Sequence, residues 1–196
     1  LWYMDEKDAN DNLTGKRVTT SDYASANYYY VNKSSLPKVY GGFNTSLSWK
    51  GFDLSAIFAY SIGGYIYNRD ITMILHNGSL EGRDWSTEIL KRWTPENRYT
   101  DVPALSTTSN NWNSASTRFL QNNSYMRLKN LTLSYDLPKQ WISKLALSSV
   151  QVFVQGDNLF TIHRNQGLEP EQGITGITYY RYPAMRTISG GINLSF

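Results

Sequence analysis

The chain has 196 residues, about the size of one domain. Nineteen Lys and Arg against sixteen Asp and Glu leave a charge of +3, too small an excess for a nucleic-acid-binding surface, and zero Cys excludes disulfide scaffolds, thiolate metal sites and cysteine nucleophiles. Only His76 and His163 remain, far apart, so a histidine-rich metal centre is excluded too. With 40% apolar residues, 15 Tyr, 7 Phe and 6 Trp, the composition is that of a folding chain. The opening residues lack the charged and apolar stretches of a secretory leader, as expected of a mature or internal piece. No apolar run approaches the roughly 20 residues of a membrane-spanning helix. A membrane β-barrel stays open, because its strands hide apolar residues at every second position, and a mean hydropathy of −0.47 does not argue against one.

Residues 1 to 36 show no sustained alternation. Asp5, Asp8, Asn10 and Asn12 resemble the start of a calcium loop, but counting from Asp8 places Leu13 and Thr19 where an EF-hand needs Gly and Glu. A solvated turn is the expectation, and no metal site. From Gly42 the pattern becomes two-faced, with Phe43, Thr45, Leu47 and Trp49 opposite Asn44, Ser46 and Ser48. After Lys50-Gly51, Phe52, Leu54, Ala56, Phe58, Tyr60 and Ile62 continue it as the second arm of a tight hairpin. Leu131, Leu133, Tyr135 and Leu137 form a third apolar face. Met126 and Leu128 fall in the opposite phase, which predicts a bulge near Lys129-Asn130. Val150, Val152 and Val154 make a fourth, and Ile188, Gly190, Ile192, Leu194 and Phe196 a fifth that ends on the last residue.

Five strands are predicted, at about 40 to 49, 52 to 66, 117 to 136, 148 to 161 and 186 to 196. Their polar faces, rich in Ser, Thr, Asn and Gln, suit a solvated lumen or the wet face of a soluble sheet equally. The connections alternate between short (Lys50-Gly51, and Pro138 to Leu147 with a helical turn over 140 to 145) and long (68 to 116 and 162 to 185), the asymmetry of bacterial outer-membrane barrels. On that reading Trp49, Tyr135, Trp141 and Phe196 form one aromatic girdle and Tyr65, Tyr67 and Phe160 the other. Five or six strands do not close a barrel, and an open edge in lipid is forbidden, so the expectation is part of a larger all-β transmembrane antiparallel barrel.

Several stretches carry a specific resemblance. They are Leu36-Pro-Lys-Val-Tyr-Gly-Gly-Phe43, Ser48-Trp-Lys-Gly-Phe-Asp-Leu-Ser55, Lys91-Arg-Trp-Thr-Pro-Glu-Asn97, Asp101-Val-Pro103, Arg118-Phe-Leu120 and Ser124 to Tyr135. Asn158-Leu-Phe-Thr161, Gly167-Leu-Glu-Pro-Glu171, Tyr182-Pro183, Arg186-Thr187 and Gly190 to Phe196 complete the series in order. Together they resemble the C-terminal barrel region of SusC/RagA-type TonB-dependent outer-membrane transporters of Bacteroidetes. The resemblance implies a barrel of about 22 strands filled by a plug, energised through TonB and working with a SusD-like lipoprotein to take up a glycan or peptide. It also implies that residues 1 to 196 are one C-terminal barrel portion in outer-membrane lipid, without plug or TonB box. The rest of the barrel and plug, and TonB through the missing N-terminal part, become partners. Residues 68 to 116 and 162 to 185 become extracellular loops, and the C-terminus lies at the periplasmic rim. No enzyme and no cofactor is implied.

Ile192, Leu194 and Phe196 read as a C-terminal barrel-assembly signal, alongside their plain role as a strand end. Trp85, Trp93, Tyr99, Trp112, Tyr179 and Tyr180 sit in the long loops, where aromatics stack on sugars or pack against partners. Each also suits a small loop core, and Ile89, Leu90 and Trp93 at helical spacing predict a helix supporting one. Glu169 and Glu171 flank Pro170 as a glycosidase carboxylate pair would, but no strand-anchored site surrounds them and catalysis is not expected. His163 beside Arg164 reads as the polar start of a loop. Two rivals remain: a complete small barrel acting as an adhesin, and a soluble carbohydrate-binding β-sandwich, which would bury one strand face in a core.

Overall fold

The computed structural model describes residues 1–78, 80–106, 111–142, 147–165, 169–171 and 173–196, without the side chain of Trp112. Residues 143–145 of the expected helical turn, and Gly167 and Leu168, lie outside the described residues. In chain order the strands are β1 (Trp2–Lys7), β2 (Leu13–Thr20), β3 (Pro37–Trp49), β4 (Phe52–Gly63), β5 (Tyr65–Asn68), β6 (Leu120–Asn122), β7 (Tyr125–Asp136), β8 (Ser149–His163), β9 (Ile177–Thr178) and β10 (Thr187–Ser195). Two short helices, α1 (Arg69–Ile74) and α2 (Lys139–Ile142), accompany them. The chain divides into two compact units, one of residues 1–33, 67–120 and 177–180, the other of residues 34–66, 121–176 and 181–196.

The second unit carries an antiparallel five-stranded sheet in the order β10-β8-β7-β4-β3. Adjacent strands in the sequence are adjacent in space. The β3–β4 hairpin closes through Lys50 and Gly51 at φ 48° and 88°, both left-handed as a two-residue turn that follows strand twist requires. Register keeps like faces together: Phe43 pairs with Phe58, Leu47 with Leu54, Leu54 with Leu133, Leu133 with Val154 and Val152 with Ile192. Between Leu128 and Asn130 the register of β7 shifts against both neighbours, so the expected bulge is present. It places Leu128 and Met126 on the apolar face opposite Phe58 and Tyr60, and turns Arg127 onto the polar face with Ala59 and Thr161.

The predicted boundaries hold within a few residues except at two ends. Gly63 and Gly64 adopt φ 82° and 73° and stop β4 where continuous alternation had predicted strand through residue 66. Tyr65 and Tyr67 therefore belong to the separate strand β5, and Tyr67 sets its ring edge-on to Phe119 (6.1 Å). Likewise β7 begins at Tyr125, because residues 117–119 form a 3-10 turn ahead of β6.

The two faces of the sheet are held differently. On the polar face, side chains bond across strands, Asn193 to Gln151 (3.2 Å), Gln151 to Asp136 (3.0 Å) and Asn130 to Asp157 (2.7 Å), and Thr132 donates to Asn130 along β7 (2.9 Å). Phe153 also lies on this face, over Gly191, where an added Cβ would meet the ring at 2.8 Å. On the apolar face Phe43 and Phe58 stack at 4.7 Å and Phe52 meets Tyr135 at 4.4 Å. Even so, Phe52, Leu54, Ile192 and Leu194 stay 39–63% exposed, and Phe58 is half-buried. A β-sandwich would have covered them.

The first unit contains the β1–β2 hairpin, which period-two reading of residues 1–36 did not reveal, since its faces are mixed. Tyr29 donates to Asp5 (2.8 Å) and carries Arg17 over its ring at 4.0 Å. Asp8 closes the turn by accepting the amides of Asn10 (2.8 Å) and Asn12 (2.9 Å), which holds its carboxyl below the usual range. This is the expected solvated turn, made by side chain-to-backbone bonds. The segment after β5 is not structureless. Asn68 caps α1 by accepting from Ile71 (3.0 Å), and Leu75, Ile89 and Val102 form a small core with Ile71 against it. Residues 87–91 form one 3-10 turn in place of the expected helix, with Ile89 buried and Leu90 exposed.

If hydrocarbon covers the apolar face, adjacent residues of β7 should respond oppositely to charge. Leu131→Arg is expected to cost about 2–4 kcal/mol in urea unfolding from lipid vesicles, whereas Thr132→Arg on the polar face costs under about 1 kcal/mol. Equal costs would count against a lipid contact.

Candidate functional site

Two regions concentrate chemistry, one in each unit. On the polar face of the sheet, the bulge aims Arg127 into the end of the strand pair β7–β8, where it is 2% exposed. All three of its donor nitrogens are used: Nε donates to Thr161 Oγ1 (2.8 Å), Nη1 to Glu171 (3.0 Å) and Nη2 to Glu169 (2.5 Å). Lys129 also reaches Glu171 (2.5 Å). Glu169 accepts the amides of Glu171 (3.0 Å) and Ala184 (2.7 Å), so the loop following β8 is strapped down at two places. Asn123 adds a bond to the Pro170 carbonyl (2.9 Å) and accepts from Asn165 (3.0 Å). Burial pushes the Glu169 carboxyl up, but the Ala184 and Glu171 amides and the Arg127 guanidinium outweigh it and hold the group below its usual 4.5. Glu169 and Glu171 thus converge on one guanidinium and anchor their loop to β7.

In the first unit, His76 is 1% exposed and organises the turn that follows α1. Its Nδ1 accepts from the amides of Gly78 (3.1 Å) and Leu80 (3.4 Å) and from Trp85 Nε1 (3.1 Å), which puts its proton on Nε2. Burial lowers its pKa from 6.5, with the Arg83 charge adding to the effect and the Arg83 carbonyl opposing it. Sequence reading passed over His76, because a lone histidine carries no pattern. Trp85, tied by its N–H, leaves nearly half its surface in solvent.

Of the loop aromatics, Trp85, Trp93, Tyr99, Tyr179 and Tyr180 are all exposed, Tyr99 fully. Trp112 has its side chain outside the described residues. Tyr179 and Tyr180 pack edge-to-face at 4.6 Å beside β9, with Arg69 over Tyr179 (5.1 Å) and Arg83 donating to Tyr180 (3.1 Å). Asp70 of α1 fixes this pair by accepting from Thr178 (2.8 Å) and the Tyr180 amide (3.0 Å). The fold therefore gathers Trp85, Tyr179 and Tyr180 through Arg83, His76 and Asp70. Trp93 instead bonds its amide to Val102 (2.8 Å) at the loop core, and Tyr99 makes no contact with that group. Phe196 is 90% exposed one residue past β10, which carries Ile192 and Leu194.

Arg127→Met leaves Glu169 buried without its cation and is expected to cost about 3–5 kcal/mol, read as thermal destabilisation with faster proteolysis near residue 170. Because the folded Glu169 pKa is depressed, its contribution is present above the unfolded value of 4.5 and fades as pH falls through the folded value. A depressed histidine has a different window. As pH drops below 6.5, the unfolded turn takes a proton that buried His76 resists, so the 76–85 turn loses stability until the lower folded pKa is reached. Amide hydrogen exchange in that turn should rise over this interval, and His76→Asn, whose Oδ1 can accept in place of Nδ1, should flatten the profile.

No protein-family model matches the chain. It is 32% identical over 166 residues to TonB-dependent receptor P3 of Formosa agariphila, covering 79% of this chain and 16% of that protein. Over 168 residues it is 27% identical to TonB-dependent receptor SusC of Bacteroides thetaiotaomicron, covering 85% and 16%. The RagAB peptide importer in its open-open state superposes with a TM-score of 0.80 at 33% identity, over 100% of this chain and 20% of that one. The chain thus spans about a sixth of the length of the curated relatives it matches, and their names are those of receptors and importers, not enzymes. Sequence and fold agree over nearly the same residues, so the chain is a segment of a SusC/RagA-type TonB-dependent transporter of the outer membrane.

Proposed function

We propose that this chain supplies barrel wall and external loops to a TonB-dependent importer that takes up glycans or peptides together with a SusD-like lipoprotein. The carrying observation is the sheet with one uncovered apolar face and one hydrogen-bonded polar face. It supports lipid on one side and a lumen on the other, and the inner strands β8, β7 and β4 are paired on both sides. The free edges of β3 and β10 would be completed by the rest of the barrel, and the lumen by a plug linked to TonB. The fragment is not enzymatic on this reading, since its converging carboxylates are engaged by Arg127.

The rival adhesin would need a closed sheet of about eight strands, whereas the meander here has five with two free edges among the described residues. The alternation of short and long connections supports a sidedness in which Lys50-Gly51 and the β7–β8 link face the periplasm with Phe196, and the segments after β5 and β8 face outward. Trp85, Tyr179 and Tyr180 are then an outward aromatic surface for substrate or the lipoprotein, and Trp93, Tyr99 and Trp112 of the segment after β5 are further candidate contacts. Ile192, Leu194 and Phe196 form the assembly signal.

Deleting the full-length gene should abolish growth on whichever glycan or peptide source induces it. Restoring the gene with Trp85, Tyr179 and Tyr180 changed to Ala should give wild-type amounts in the outer membrane but slower growth on that source. Undiminished growth of the deletion strain on every tested glycan and peptide would end the importer reading.

A further inference from the structure

Beside the Arg127 strap, two adjoining cavities of about 330 and 340 Å³ share Arg127, Glu169 and Ala184 as a common wall. Arg181 lines the first and Arg186 the second. Neither arginine has a hydrogen bond or ion pair with any described residue, and both are exposed. The carboxylates nearby offer them little. Glu169 is held by Arg127 and two amides, and Glu171 by Arg127 and Lys129. Four cationic side chains therefore meet two carboxylates that are already engaged, on a polar sheet face that otherwise carries mostly amides and hydroxyls.

Such a surplus favours an anion, and guanidinium groups suit a carboxylate because two parallel N–H bonds match its oxygens. From this charge count and the shared cavity, we infer that Arg181 and Arg186 form a seat for a carboxylate group of the imported solute. That group is either the C-terminal carboxylate of a peptide or a uronate of a glycan. The inference rests on the importer reading, which makes this sheet face the lumen. Tyr182, almost fully exposed at the rim of the first cavity, adds a ring face and a hydroxyl for the remainder of the solute. The strap has a second role here. By neutralising Glu169 and Glu171, Arg127 and Lys129 keep those carboxylates from pairing with Arg181 and Arg186, so the two arginines stay available.

The full-length transporter in detergent can be titrated by calorimetry with tetra-alanine, its C-terminal amide, tetragalacturonate and cellotetraose. At low ionic strength at least one acid is expected to bind about tenfold or more tighter than its neutral counterpart, with the difference shrinking as salt is raised. Which acid shows the preference identifies the source of the carboxylate. The double variant Arg181→Ala, Arg186→Ala should lose the preference while keeping its melting temperature. The paired variant Arg181→Lys, Arg186→Lys should retain part of it. No binding of either acid, equal affinity for acid and neutral probes, or a preference that survives the alanine variant overturns the seat. These results are separable from failure of the importer reading, which shows as normal growth of the deletion strain whatever the titrations give.

Discussion

Hydrogen bonding of the strand backbone in the absence of a covering protein layer governs the rest of this structure. Each strand of the meander finds its partners only sideways, and the side chains facing away from the polar side form an apolar surface that the chain does not bury. Phe52, Leu54, Ile192 and Leu194 would be a serious liability in water, since exposed apolar patches of this extent mark sites of association. In hydrocarbon such a surface is favoured, and a sheet whose edges are closed by further strands, so that its amides bond within the sheet, is among the few arrangements that tolerate it. On the proposed reading, the membrane takes the part that a second sheet plays in a soluble sandwich.

The opposite face is polar, and the structure uses it for lateral cohesion. The bonds linking Asn193, Gln151 and Asp136, and those linking Thr132, Asn130 and Asp157, tie neighbouring strands through side chains as well as backbone. Deep in such a surface a charge is costly unless paired, and Arg127 meets this condition in full, with each donor group directed at an acceptor. Its carboxylate partners come from the loop beyond β8, so burying the guanidinium and anchoring the loop are one event.

The long segment after β5 follows a different logic. It builds a miniature core from Leu75, Ile89 and Val102, caps its helix with Asn68 and turns about buried His76. Anchoring of this kind lets aromatics such as Trp85 and Tyr180 remain largely in solvent while their polar atoms are held. A loop that presents rings at fixed positions loses less conformational freedom on contact than a floppy one.

Alternation of period two is a local property, and the sequence alone was enough to locate five strands, their apolar faces, the Lys50-Gly51 turn and the phase slip at Lys129-Asn130. Its motifs also pointed to the transporter family. The β1–β2 hairpin escaped because its pairing comes from backbone bonds and the Asp8 turn, without a sustained apolar face to mark it. The break of β4 at Gly63-Gly64 escaped because glycine permits a left-handed backbone without announcing that it adopts one. Only the tertiary structure could show that Arg127 serves Glu169 and Glu171, more than forty positions away. Their pairing depends on the bulge turning Arg127 to the polar face and on a loop folding back over it. A short window of residues carries side-chain periodicity, but which distant groups meet is settled by strand register and loop closure together.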